Sequence, residues 1–188
     1  MTVKRLRPMP TAEEMAAMYP APHDHRIYGR GHHERVEATV ALAVQQIADA
    51  ERQIVADLSC GNGDIARRIA TSPAVHLGDF AAGWEYHGPL EETLDLIPLV
   101  DVYVCSETIE HLDDPFDVLL KIRHQAERLV LSTPIGCWDD ANGEHLWAWD
   151  REGVEQLLDS AGWSPWAFTN VDSTAYGEPY NYGIWVAV

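Results

Sequence analysis

The sequence predicts an α/β domain: a mostly parallel sheet of six or seven strands, helices on both faces, and an antiparallel C-terminal strand. Three observations carry this. From residue 53 onward, short apolar runs alternate with helical stretches, the pattern of strand–helix–strand units. The first run ends in a glycine turn, Gly61-Asn62-Gly63, that leads straight into a helix. At the C-terminus two apolar runs follow one another without a helix between them, which calls for antiparallel pairing.

Taken in order, residues 1–30 form an N-terminal extension rich in Pro and His, with a short helical stretch near 11–19. A long helix is predicted over 32–51, where Val36, Val40, Val44 and Ile47 recur at spacings of four and three. The strand run 53–60 and the helix from Asp64 follow, then a second strand run over 74–80 and a short one near Tyr86. Residues 92–98 read as helical and 99–106 as a strong strand. Asp114 and Pro115 open the next helix, the acid as N-cap and the proline at the first helical position, where its missing N–H costs nothing. A strand over 128–134 precedes a helix over 150–161, with Val154, Leu157, Leu158 and Ala161 on one face and Gly162 as its stop. Two final strands span 163–171 and 181–188. No Gly/Ser linker or internal repeat divides the chain, so 31–188 reads as one domain.

Bulk properties narrow the function classes. The net charge is −17, from 13 basic and 30 acidic side chains. Such a surface disfavours duplex nucleic acid and anionic membranes, which recruit Lys and Arg. Only the first 35 residues are basic, through Lys4, Arg5, Arg7, Arg26, Arg30 and Arg35. No apolar run reaches the ~18 residues of a membrane span, and none follows the basic N-terminus, so a cytoplasmic protein is expected. The three cysteines, Cys60, Cys105 and Cys137, are too scattered for a disulfide framework or zinc knuckle. His23, His25, His32 and His33 match no metal-ligand spacing, and no metal is expected.

The stretch Ile54-Val-Ala-Asp-Leu-Ser-Cys-Gly-Asn-Gly63 is the most informative. Its glycines let the backbone pass close to a ligand, at the strand end where open α/β sheets bind their ligands. Gly61-x-Gly63-x-x-Ala66 also fits a dinucleotide turn. Asp57 argues against that, because a pyrophosphate at this turn would meet a carboxylate in a poorly screened cleft. A carboxylate suits a ligand carrying an ammonium and a sulfonium.

With these residues the chain resembles the class I S-adenosylmethionine-dependent methyltransferases, particularly their small-molecule branch, over roughly 35–188. The family's first motif, D-x-G-x-G-x-G, corresponds to Asp57, Ser59, Gly61 and Gly63, with a serine in place of the first glycine. The resemblance implies a Rossmann-like methyltransferase fold and S-adenosylmethionine as cofactor, with S-adenosylhomocysteine as product. It implies a cofactor site of Asp57, Ser59, Cys60, Gly61, Asn62, Gly63, Asp79, Ser106 and Glu107. Asp57 would lie near the methionine ammonium and Asp79 at the ribose hydroxyls. The segment Glu107-Thr-Ile-Glu110-His111-Leu-Asp-Asp-Pro115 resembles the family's E-x-x-E-H-x-x-D-P, which places Glu110 and His111 at the acceptor. His145 precedes the last helix as in the family, and His111, His145 and Glu110 are the catalytic candidates. Gly88-Pro89 stands where the family has Gly-Asp, so the resemblance does not place the adenine.

The function this implies is methyl transfer to a small-molecule acceptor. The rivals are a methyltransferase-like binding or scaffold protein without catalysis, which Ser59 favours, and a nucleic-acid base methyltransferase, which the charge disfavours and for which no Asn-Pro-Pro-Tyr or Pro-Cys motif is present. Tyr28, Arg30 and His33 are expected to close over the site as a lid. Trp138, Trp147 and Trp149 are candidates for the wall of an acceptor pocket.

Overall fold

Alternation along each strand sorts its side chains to the two faces of a sheet. In a computed structural model, which describes residues 2–24, 27–47, 53–71 and 73–188, this alternation builds two cores. Ala56, Tyr103, Cys105, Leu129 and Leu131 point to one face, and Val55, Val102, Val104 and Val130 to the other. Both sets are buried, as a parallel sheet covered on both sides requires.

The strands of this sheet are β2 (Val55–Asp57), β3 (Val75–Asp79), β4 (Tyr86–His87), β5 (Val100–Ser106), β6 (Ala126–Ile135), β8 (Pro165–Asp172) and β9 (Asn181–Ala187). Their order is β4-β3-β2-β5-β6-β9-β8. Pairing is parallel from β4 to β6, and β9 runs antiparallel to both β6 and β8. The predicted sheet and its antiparallel C-terminal strand are therefore present, with seven strands.

The helices cover both faces. α2 (Arg30–Ile47) and α3 (Asp64–Ile69) pack on the valine side, through Val36, Val40, Ala43, Ile47, Ile65 and Ile69. α4 (Leu90–Thr93), α5 (Pro115–Gln125) and α6 (Arg151–Ser160) cover the other. The Asp114 side chain accepts from Asp117 N–H with Pro115 behind it, and Gly162 adopts φ +82° just past α6. Val44 departs from its predicted face. It is 47% exposed while Ala43 is buried, because two steps of four turn a side chain about 80° away from where it started. The predicted end of that helix, 48–51, lies outside the described residues, as do His25 and Arg26. Among the described residues, no helix is long and apolar enough to cross a membrane.

The N-terminal segment makes a second, two-stranded sheet that the sequence did not announce. β1 (Val3–Arg5) pairs antiparallel with β7 (Trp147–Trp149). These two strands are three residues long and more than a hundred positions apart, so neither carries a local signal. From there α1 (Ala12–Met18), opened by a Thr11–Glu14 capping box, crosses the carboxyl end of the main sheet.

Gly153 locks this arrangement. It lies in the first turn of α6, where its N–H donates to the N-cap Asp150. A Cβ there would stand 1.9 Å from the backbone oxygen of Thr2. Gly→Ala in a helix ordinarily stabilises by up to about 1 kcal/mol. Here Gly153→Ala is expected to lower the melting temperature and to open the segment before residue 20 to limited proteolysis. An unchanged digestion pattern would show that β1 is not held by this contact.

Candidate functional site

The strand order reverses between β2 and β5, so the loops after these two strands diverge to opposite sides and leave a crevice. A cavity of about 850 Å³ lies there. Its floor is Leu58, Ser59 and Gly61 after β2, Asp79 and Phe80 at the end of β3, and Ser106, Glu107 and Thr108 after β5. The N-terminal segment covers it through Met9, Met15, Tyr19, His23 and Tyr28. Tyr180 and Tyr182, from the approach to β9 and its start, close the far side.

The glycine turn after β2 is tight. Gly61 and Gly63 take positive φ, +54° and +74°, and Ser59 does not. The serine in place of a glycine therefore brings no backbone strain, and its hydroxyl bonds Thr108 at 2.7 Å. A Cβ on Gly63 would meet Arg67 Nη1 and Leu77 Cδ1 at 2.9 Å each. Asp79 ties the turn to β3, accepting from Gly61 N–H at 2.9 Å and from Ala81 N–H at 3.0 Å. Asp57 is buried behind the floor, where it accepts from Ser59 N–H at 3.1 Å. Of the predicted cofactor residues, Ser59, Gly61, Asp79, Ser106 and Glu107 line the cavity. Asp57, Cys60, Asn62 and Gly63 shape the turn from behind it.

Carboxylates dominate the electrostatics. Burial raises Asp57 from its ordinary 3.8 to about 8, helped by the neighbouring charge of Asp79 and opposed by the Ser59 N–H. Burial likewise raises Asp79, against its two backbone hydrogen bonds. Glu107 is raised by burial and held down by Arg35 and Ser132. Glu110, 1% exposed, is raised by burial and by the charge of Glu107. Glu107 also takes φ +53°, a left-handed conformation unusual for a side chain of its size.

Arg35 is the cation beneath them, and sequence reasoning missed it. Fully buried, it donates to Ser106 Oγ at 2.5 Å and Ser132 Oγ at 3.1 Å, and lies 4.0 Å from Glu107. Ser132 Oγ in turn donates to Glu107 Oε1 at 2.9 Å. The available signal was position: Arg35 directly precedes Val36 and falls on the buried stripe of α2 with Thr39, Val40 and Ala43. A cation on an apolar stripe needs a buried partner.

The three catalytic candidates meet beside the cavity. Glu110 and His111 sit in a 3₁₀ turn, Ile109–His111, after β5. His111 and His145 line the cavity with ring centroids 4.9 Å apart, and Glu110 lies buried beneath. Burial and the neighbouring His145 bring His111 down to about 3, so its ring is neutral at physiological pH. Tyr28 lines the cavity as expected of a lid residue. Arg30 and His33 do not: Arg30 packs on Tyr176 and pairs with Glu34. The tryptophans stand elsewhere as well. Trp147 and Trp149 share one face of β7, stacked at 6.4 Å, with Trp149 in the core on Thr133 Oγ1. Trp138 lines no part of the cavity. The aromatic walls are tyrosines and Phe80, and Phe80, His87, Gly88, Pro89 and Leu90 form the end beside Asp79 that the sequence left unplaced.

Two outcomes follow. Asp57 is neutral at low pH and is forced to ionise in the fold near pH 8, whereas in the unfolded chain it ionises near 3.8. Wild type is therefore expected to lose stability against Asp57→Asn as pH rises from about 4 to 8. Urea unfolding of the ligand-free proteins measures this, and parallel pH curves would contradict it. Arg35→Met leaves Glu107 without its buried partner and is expected to cost about 3–5 kcal/mol. Adding Glu107→Gln should restore part of that loss, and a strictly additive double mutant would rule out the coupling.

No protein-family model and no curated protein matches the sequence. Solved structures do match. The 1,6-didemethyltoxoflavin-N1-methyltransferase of Burkholderia thailandensis, solved with 1,6-didemethyltoxoflavin and S-adenosylhomocysteine, superposes with a TM-score of 0.73 at 16% identity, over 98% of this chain and 93% of that one. The magnesium protoporphyrin IX methyltransferase of Synechocystis PCC 6803, with bound S-adenosylhomocysteine, gives 0.65 at 16% identity, over 84% and 83%. The 4+2 cyclase SpnF gives 0.63 at 13% identity, over 98% of both chains. Sheet order, antiparallel strand and switch-point cavity thus go together: the chain has the α/β, Rossmann-like fold of the class I methyltransferases.

Proposed function

We propose that the protein is an S-adenosylmethionine-dependent methyltransferase acting on a small-molecule acceptor. The observation that carries this is a cavity at the switch point bordered by Gly61 and Asp79 at one end and by His111 and His145, with Glu110 buried beneath them, at the other. The structural neighbours solved with S-adenosylhomocysteine support it. SpnF, a cyclase of the same fold, is a reminder that fold does not fix the reaction.

The donor set fits this cofactor. Asp79 borders the cavity with a carboxylate that accepts two vicinal hydroxyls. Gly61, at φ +54°, brings the backbone of the turn to the cavity wall. Glu107 at the cavity wall and Asp57 behind it are carboxyls whose ionised form a bound ammonium and sulfonium would favour, and Phe80 and Leu90 give an apolar bed beside Asp79 for the adenine. When bound, S-adenosylmethionine supplies a methyl group already activated by its sulfonium.

The chain's own task is then alignment and proton control. Tyr19 and Tyr28 cover the cavity and exclude water, the role of a lid. His111 and His145 border the acceptor end, with Glu110 behind them, and the two imidazoles accept hydrogen bonds or a proton from the acceptor. His145 is oriented for this by Asp140, whose Oδ2 takes its Nδ1–H at 2.6 Å. The volume suits the cofactor plus a small ring compound enclosed by tyrosines, and among the described residues that line it Arg35 is the one Arg or Lys, too little for a phosphate backbone.

Calorimetry with S-adenosylhomocysteine tests the cofactor assignment. Wild type is expected to bind one equivalent, and Asp79→Ala to weaken binding about tenfold or more. Asp57→Ala, which frees the turn, is expected to weaken it strongly as well. No heat at millimolar ligand would remove the assignment. Binding without turnover across acceptor panels would favour a scaffold role.

A further inference from the structure

Glu110, His111 and His145 come from two distant stretches of chain, yet each offers a ligand atom within 4.8 Å of the other two. Their hydrogen bonds are divided in one consistent way. His111 gives its Nδ1–H to the backbone oxygen of Glu144 at 3.1 Å, with Tyr19 Oη at 3.2 Å. His145 gives its Nδ1–H to Asp140. Each ring therefore has its Nδ1 held by an oxygen, which makes its Nε2 the acceptor; that of His111 faces Glu110, and that of His145 takes an N–H of Asn142. Glu110 accepts from Thr133 Oγ1 at 3.0 Å through Oε2, while Oε1 is buried and has no partner. That orphan oxygen lies 3.9 Å from His111 Nε2. On the far side, Asn142 Nδ2 stands 3.1 Å from His145 Nε2.

The unpartnered Glu110 Oε1 and the His111 Nε2 lone pair are two acceptors that face one another, with His145 alongside. Either a proton or a metal cation held between the two satisfies both atoms. Histidine ligands characteristically give their second ring N–H to a carboxylate or carbonyl, the arrangement both rings have here. We propose that Glu110, His111 and His145 bind one divalent first-row transition-metal ion at the acceptor end of the cavity. Ligands about 2.0–2.2 Å from a shared ion lie about 3–4 Å apart, so side-chain shifts of about an ångström close the site. Two imidazoles and one carboxylate select Mn²⁺, Fe²⁺, Co²⁺ or Zn²⁺ over Mg²⁺ or Ca²⁺. The Glu107 carboxylate adds to the negative field at this spot.

Three protein ligands leave the cavity side of the ion open. There it takes an acceptor oxygen, a hydroxyl or an enol, whose acidity the ion raises. This role for the open side rests on the methyl-transfer reading above; the metal site itself does not.

The test uses the full chain, freed of metal by chelation, without cofactor. Mn²⁺ is titrated with loss of the free-ion electron paramagnetic resonance signal as readout, and Co²⁺ with its visible absorption. One ion per chain is expected, bound at micromolar concentration. Glu110→Gln and His145→Gln should each weaken it at least tenfold, and Asp140→Asn about tenfold through the tautomer of His145. Circular dichroism and S-adenosylhomocysteine calorimetry on each variant report folding and the cofactor end separately. Stoichiometric metal binding without S-adenosylhomocysteine binding supports the site while overturning the cofactor assignment. A wild-type protein that binds the cofactor product but neither Mn²⁺, Co²⁺ nor Zn²⁺ below millimolar overturns the site. So does metal binding that survives Glu110→Gln combined with His145→Gln.

Discussion

Carboxylates that have left water must be compensated, and at the head of this sheet that requirement shapes everything nearby. Asp57, Asp79, Glu107 and Glu110 are drawn together by the fold, and burial raises all four. Asp57 and Asp79 are answered by backbone N–H groups of the turn, and Glu107 by Arg35 and a serine. Glu110 is only half answered, by one threonine hydroxyl. An arrangement this demanding is retained where charge is needed for a ligand rather than for stability.

The compensation sets the local architecture. Arg35 reaches the carboxyl ends of β5 and β6 from α2, so the helix that packs on the valine face also anchors the serine pair between those strands. Asp79 fastens the glycine turn to β3, and Asp140 and the Glu144 carbonyl fix the two imidazoles. The N-terminal segment then closes the cavity at a distance: β1 is held by β7 and Gly153, which lets α1 and Tyr19 reach over to His111. Rigid elements hold the polar floor, while the cover is a helix with no buried residue of its own.

Much of this was legible in sequence because it is local. The Asp114-Pro115 start of α5, the Gly162 stop after α6, and the glycine turn after β2 each depend on the conformational chemistry of one or two residues. The motif around Asp57 directed attention to the end of the sheet where the cavity lies, although Asp57 itself stands behind the floor. Arg35 was legible only in hindsight, since its partners Ser106, Ser132 and Glu107 lie about 70 to 100 positions away. The tryptophans misled for a related reason: a Trp-x-Trp spacing puts two rings on one face of a strand but does not say which way that face looks.

By itself, the sequence determined the element types, the parallel-then-antiparallel sheet and the position of the glycine turn, because periodicity, capping and glycine chemistry act over a few residues. The tertiary structure decided which acids share one buried space, which partner each histidine nitrogen meets, and what covers the cavity. Those depend on contacts such as His111 with Glu144 or Val3 with Trp149, between segments that no local rule connects. Only packing fixes how far apart their charges stand and how much water remains between them.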